Sequence, residues 1–164
     1  MLDVHPTDLF SWTELLLRLG LASLLGLLLG LDRELRGQDA GIRTHALVSL
    51  SSAMIMVSSL MLYAQLRTDD VAPDPLRAIQ GLSQAIGFIA AGMIFVRGGA
   101  VMNMTTAANI WIAAAIGIAC GSGQYRVVLV GAGLALVLLT FVKLFERVLP
   151  AEKKDRGGKD SPSV

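Results

Sequence analysis

A single cysteine, Cys120, stands among 164 residues, with two histidines, His5 and His45. One thiol makes no internal disulfide, and one thiol with two imidazoles falls short of a four-ligand zinc site. Charge is also scarce, at 16% of residues, against about 25% in an ordinary globular domain. Fourteen Lys and Arg face thirteen Asp and Glu. A net charge of +1 steers no polyanion, so a nucleic-acid-binding domain is excluded, and the apolar content excludes a disordered chain. The patterns that carry catalysis are missing too. There is no Ser/His/Asp order, no metal-ligand helix motif and no phosphate-binding glycine loop after a strand, so no enzyme is expected. What is present is hydrocarbon. Hydrophobic residues make up 54% and mean hydropathy is +0.62. They come in runs of about 20 residues, the length a helix needs to cross roughly 30 Å of hydrocarbon.

Five such runs cover about 10–31, 46–66, 76–96, 105–120 and 127–145. The expected fold is all-α: a polytopic membrane bundle of about five transmembrane helices within residues 1–145. Residues 146–164 read as a disordered polar cytoplasmic tail. The first run reads as a retained span, because its flank (Asp3, His5, Asp8) lacks basic residues and no small-residue cleavage site follows. Asp74-Pro75 fits a cap and first residue of the third helix, and Asn103 could cap the fourth one turn early. RGGAVMNM reads as a loop, and GSGQY as a turn. Basic residues set the orientation. An outside N-terminus leaves Arg67, Arg77 and Arg126 outside. Arg33, Arg36, Arg43, Arg97, Lys143, Arg147, Lys153, Lys154, Arg156 and Lys159 are then in the cytoplasm, with the C-terminus.

Helices in lipid associate by close backbone approach, which small residues permit. Stripes at four-residue spacing occur as Ala22, Gly26, Gly30; as Ser83, Gly87, Ala91; as Ala113, Gly117, Gly121; and as Gly131, Ala135. They read as internal packing, and one of them could instead make a homodimer contact. Trp12 and Tyr63 fall near outer span ends. Trp111 falls mid-span and is expected to pack in the bundle. Cys120 reads as a buried small hydrophobe.

Charge within a span is costly. Glu14 and Arg18, one turn apart, are expected to pair. Gln80 and Gln84 share a face of the third span, and with Asn109 of the fourth they could bond across helices or line a polar cavity. No carboxylate lies deep in spans two to five, so a dehydrated Mg2+ finds few ligands there. The cytoplasmic ends carry more information. The second helix brings Arg43, Thr44 and His45 to its positive N-terminus, and the fourth brings Asn103, Thr105 and Thr106. Arg33, Arg36 and Arg97 adjoin them. If the two ends are neighbours they suit an anion. Alternatively Asp32, Glu34 and Asp39 neutralise the arginines in an internal network.

The stretch GLDRELRGQDAGIRTHALV (30–48) resembles the signature of the MgtC/SapB family of bacterial membrane proteins. DPLRAIQGLSQAIGFIAAGMI (74–94) and TTAANIWIAAAIGIACGSGQY (105–125) resemble that family's third-span and fourth-span regions. The resemblance covers roughly 10–145, and implies a multi-pass protein of the bacterial inner membrane with about five spans. It implies a link to magnesium homeostasis, growth in low magnesium and, in some pathogens, survival in host cells. Asp32, Arg33, Arg36, Gly41, Arg43, Thr44, Asp74, Arg77, Thr106 and Trp111 fall on its motif positions. Glu is more usual at the position of Asp32, and basic and Gly residues are more usual where Met102 and Asn103 stand. Many members carry a soluble C-terminal domain, for which the residues after the last span are too few. The expected function is regulation of another membrane protein or binding of an anionic ligand through the cytoplasmic loops. The alternative is a transporter or channel for magnesium or another small solute. Expected partners are membrane lipid, other membrane proteins and a second copy, with no nucleic acid. No cofactor is expected, and association with Mg2+ is left open.

Overall fold

The structure, a computed structural model, describes residues 10–68 and 73–148. Five helices follow in chain order: α1 (Trp12–Glu34), α2 (Ile42–Leu66), α3 (Leu76–Met93), α4 (Met104–Gly121) and α5 (Tyr125–Val148). A hairpin of β1 (Phe95–Arg97) and β2 (Ala100–Met102) joins α3 to α4. Helices α1, α2 and α4 are long and apolar enough to cross a membrane. With 23 and 25 residues, α1 and α2 reach roughly 35 and 38 Å.

Local chemistry sets the helix starts. The Ser11 hydroxyl accepts the Glu14 N–H at 3.2 Å. The Asp74 carboxylate accepts the Leu76 N–H at 2.9 Å, with Pro75 already in helical conformation. The helix thus starts one residue later than expected, at Leu76 with Pro75 in the cap position, and Arg77 follows, exposed, in its first turn.

Helix α2 is held between α1 and α4 by two of the small-residue stripes, and α4, the most buried helix, also packs on α1, α3 and α5. A Cβ at Gly26 would lie 2.7 Å from the His45 carbonyl oxygen, and one at Gly30 2.6 Å from the Ile42 Cα. On the other side, a Cβ at Gly121 would lie 2.6 Å from the Ala53 carbonyl oxygen, and one at Gly117 would collide with the Ser49 carbonyl. These contacts are closer than any side chain tolerates, so the stripes on α1 and α4 make internal packing. Ala22, Ala53, Ala113 and Cys120 are fully buried in the same core. The outward surface is apolar: Leu16, Leu17 and Leu24 on α1, Phe88 on α3, and Leu129 and Leu138 on α5 are all more than half exposed. A polar interior seam inside an apolar coat is the arrangement that lipid, not water, selects.

Several expectations change. Helix α3 ends at Met93, short of the expected 96, and the RGGAVMNM segment forms a hairpin instead of a loop. Phe95 pairs with Met102, Val96 with Val101 and Arg97 with Ala100. Gly98 and Gly99 turn the chain at φ of 60° and 81°. Positive φ at both central residues matches the twist of the flanking strands, which is why two glycines there close a hairpin. Helix α5 packs through Val128, Ala132 and Ala135, while Gly131 faces open space, so its expected stripe is rotated. Trp111 lies over Gly87 of α3, yet the residue is 44% exposed, so it packs at the bundle edge and not within it. Residues beyond 148, which hold most of the expected tail, lie outside the described residues.

Candidate anion site at the charged end of the bundle

Helix α1 continues three residues past the expected end of its span and so carries Asp32, Arg33 and Glu34 on successive helical positions. Each residue turns about 100° from the last, and the three side chains go to three places. Glu34 reaches the start of α2, where its carboxylate accepts the Ile42 N–H at 2.9 Å. Asp32 reaches forward past the end of the helix to an ion pair with Arg36. Arg33 turns into the bundle, where it is 6% exposed. Its Nη2 donates to Gln38 Oε1 at 2.9 Å and to Thr106 Oγ1 at 3.1 Å. Its Nε has no partner. Among the described residues no carboxylate lies within ion-pair distance of this guanidinium.

The expected meeting of the α2 and α4 N-termini is present. The Arg33–Thr106 bond ties α1 to α4, and Asn103 Nδ2 donates to Asp39 Oδ2 at 2.8 Å. Asn103 precedes α4 with φ 64° and makes no side-chain cap. Asn109 lies one turn beyond Thr105, is 7% exposed, and leaves its Nδ2 unpartnered. Between α1, α4 and α5 lies a cavity of about 410 Å3. Arg33, Arg36, Gln38, Thr105 and Asn109 form its polar side; Ala108, Ile112, Ala135, Leu138 and Leu139 form the rest. Arg36 spans the rim, donating Nη1 to the Leu139 carbonyl at 3.3 Å. The positive end of the α4 dipole adds to the guanidinium charges. A groove of similar volume, about 440 Å3, lies between α2 and the segment 73–75 that leads into α3. It is lined mainly by apolar residues and holds no buried charge, so the chemistry points to the first cavity.

The remaining candidates separate from this cavity. Arg43 and Thr44 are exposed on α2, and Arg97 is exposed on the hairpin. None of the three lines the cavity. Glu34 and Asp39 bind backbone and an amide instead of neutralising arginines, so of the expected internal network the Asp32–Arg36 pair alone is found among the described residues. His45 does not open to the surface but is fully buried between helices. Its Nδ1 lies 2.9 Å from the Gly41 carbonyl, and its Nε2 is unpartnered. Gln80 and Gln84 face outward, exposed, and do not join Asn109. The reason is rotation: α3 turns Leu82, Ile86 and Ala90 inward instead.

At the opposite end Glu14 and Arg18 pair as expected, at 2.6 Å. Arg18 also donates to the Gly121 carbonyl at 2.7 Å and lies 4.3 Å from the centre of the Phe10 ring. It closes the last turn of α4, a structural role.

Gln38 and the apolar lining were missed by sequence reasoning, and Asn109 was grouped with the wrong partners. A signal existed, since Asn109 sits one helical turn from Thr105 on the face that meets Arg33. Among the described residues no group of three His, Cys, Asp or Glu side chains could hold a metal ion.

A model of the MgtC family matches residues 19–148. The protein named "Putative magnesium transporter YhiD" of Escherichia coli K12 is 40% identical over 127 residues, 77% of this chain and 59% of that protein. Protein SapB of Bacillus subtilis is 37% identical over 72% of this chain and 53% of its own length. Protein MgtC of Salmonella typhimurium LT2 is 38% identical over 68% of this chain and 45% of its own. The chain thus spans roughly half of these relatives. No solved structure matches.

Proposed function

The chain belongs to the MgtC family, and from that premise we propose that it serves magnesium homeostasis as a regulatory, non-enzymatic, multi-pass protein of a bacterial inner membrane. It acts by binding an anionic group at the charged end of the bundle, and through that group it engages another membrane protein.

One observation supports this reading above the rest: Arg33 is 6% exposed, its Nε is unpartnered and no carboxylate lies within ion-pair distance of it among the described residues, while Asp32, whose charge it feels, is paired with Arg36. An unpaired buried charge is strongly destabilising, by about 3–5 kcal/mol when a partner is removed. A ligand of opposite charge relieves that cost. The same charge repels Mg2+, which requires oxygen ligands, several of them water, in a near-ideal octahedron. The transport reading draws on the name given to the E. coli relative. A flux measurement separates the two. In liposomes loaded with a Mg2+-sensitive dye, the purified chain is expected to move no more Mg2+ than empty liposomes. Saturable flux that disappears in the Arg33→Gln variant would establish transport and overturn regulation.

A further inference from the structure

Resting on the reading that an anion binds at this end, we infer that the ligand is an acidic phospholipid, its phosphate held by Arg33 and Arg36 and one acyl chain lying along Ile112 and Leu138. The cavity has two chemistries side by side. Its polar half offers two guanidinium groups, the Thr105 hydroxyl and the unpartnered Asn109 amide, which is 7% exposed. Guanidinium groups match the oxygen spacing of a phosphate. Its other half is hydrocarbon. A free phosphate ion would fill the first half and leave the second wet. A neutral lipid would fill the second and leave Arg33 unpaired.

The way in is lateral. Ile112 is 39% exposed and Leu138 61% exposed, so the apolar wall opens onto the surface that faces lipid. A lipid already in the bilayer reaches the site without leaving hydrocarbon. Charge selects the headgroup. Asp32 is paired with Arg36, so the two arginines and this acid carry one net positive charge. That matches a phosphodiester monoanion, as in phosphatidylglycerol, and leaves a zwitterionic headgroup with a second charge to place. The volume, about 410 Å3, falls in the ordinary range for small-molecule sites.

The test uses the full chain in a neutral detergent. Lipid retention by native mass spectrometry and the thermal unfolding midpoint are followed with phosphatidylglycerol, phosphatidylcholine and sodium phosphate. Phosphatidylglycerol is expected to bind at least tenfold more tightly than phosphatidylcholine and to raise the midpoint, with no shift from millimolar phosphate. Ala108→Phe fills the cavity from an exposed helix position without removing a polar group. It is expected to weaken phosphatidylglycerol binding at least tenfold while the lipid-free midpoint stays put. Equal binding of the two lipids, an equal shift from phosphate alone, or unchanged binding by Ala108→Phe would each overturn the assignment. Arg33→Gln, if it folds, is expected to lose the preference for the acidic lipid, and retention of that preference counts against the site. Mg2+ flux with lipid selectivity intact would sink the regulatory reading alone. Lost selectivity with no flux would sink the lipid assignment alone.

Discussion

Among the described residues two arginines are buried in this bundle, and they are buried differently. Arg18 has its carboxylate, its carbonyl and an aromatic ring. Arg33 has a hydroxyl and an amide oxygen but no ion-pair partner. The contrast gives opposite expectations. Arg18→Ala removes a charge-assisted bond to Gly121 and leaves that carbonyl orphaned, so it should lower stability by about 2 kcal/mol. Arg33→Met replaces a buried charge that has no ion pair with hydrocarbon of similar length and should leave the lipid-free midpoint unchanged or higher. Thermal unfolding of the two variants in one detergent checks both directions. A large loss in Arg33→Met would mean that its bonds to Thr106 and Gln38 outweigh the desolvation of the charge. The charged stretch 32–43 was legible as a candidate site, but not which of its arginines turns into the bundle. Arg33 and Arg43 look equivalent in sequence. The helix termini at Glu34 and Ile42 fix their azimuths, and those turn Arg33 inward and Arg43 out.

Among the elements, the small-residue stripes were the most legible feature. Four-residue spacing keeps Ala22, Gly26 and Gly30 on one side of a helix whatever its neighbours are. Which neighbour they meet needs three dimensions: both the α1 and α4 stripes close on α2. Leucine at Gly26 or Gly117 should therefore separate α2 from its partner and abolish most of the monodisperse protein recovered in detergent. Leucine at Gly131, which faces open space, should leave the yield within about twofold of the parent. Size-exclusion profiles of the three variants decide this, and equal loss in all three would contradict the packing described. The hairpin was hidden because three-residue strands show too little alternation to read, even though Gly98-Gly99 marked their turn. The outward turn of Gln80 and Gln84 was hidden because polar residues on a mostly apolar helix give no sign of which apolar neighbours face the core.

For the whole molecule the governing fact is the inversion of its surface, with serines and histidine inside and leucines outside. Its orientation is read from the basic residues, and the prediction follows directly. Reporters fused at the two ends should lie in opposite compartments, with alkaline phosphatase active at the N-terminus and a cytoplasmic fluorescent protein active at the C-terminus. Activity of both reporters in one compartment would require an even number of crossings, with α3 or α5, neither of them among the candidate spans of the described residues, failing to span. Helix α3, 18 residues long and carrying Arg77, Gln80 and Gln84, is not among those long and apolar enough to cross.

The place of α2 between α1 and α4 has a further consequence for how the chain is made. Its seam carries His45, Ser49 and Ser52, each fully shielded in the finished fold. Helix α1 emerges from the ribosome first and can shelter one flank, with Ser49 donating to the Ala22 carbonyl at 2.8 Å. The flank that receives Gly117 and Gly121 has no cover until α4 is synthesised, some dozens of residues later. Helix α4 covers that flank by close backbone approach and not by satisfying its polar atoms, since Ser52 Oγ has no partner in the finished fold either.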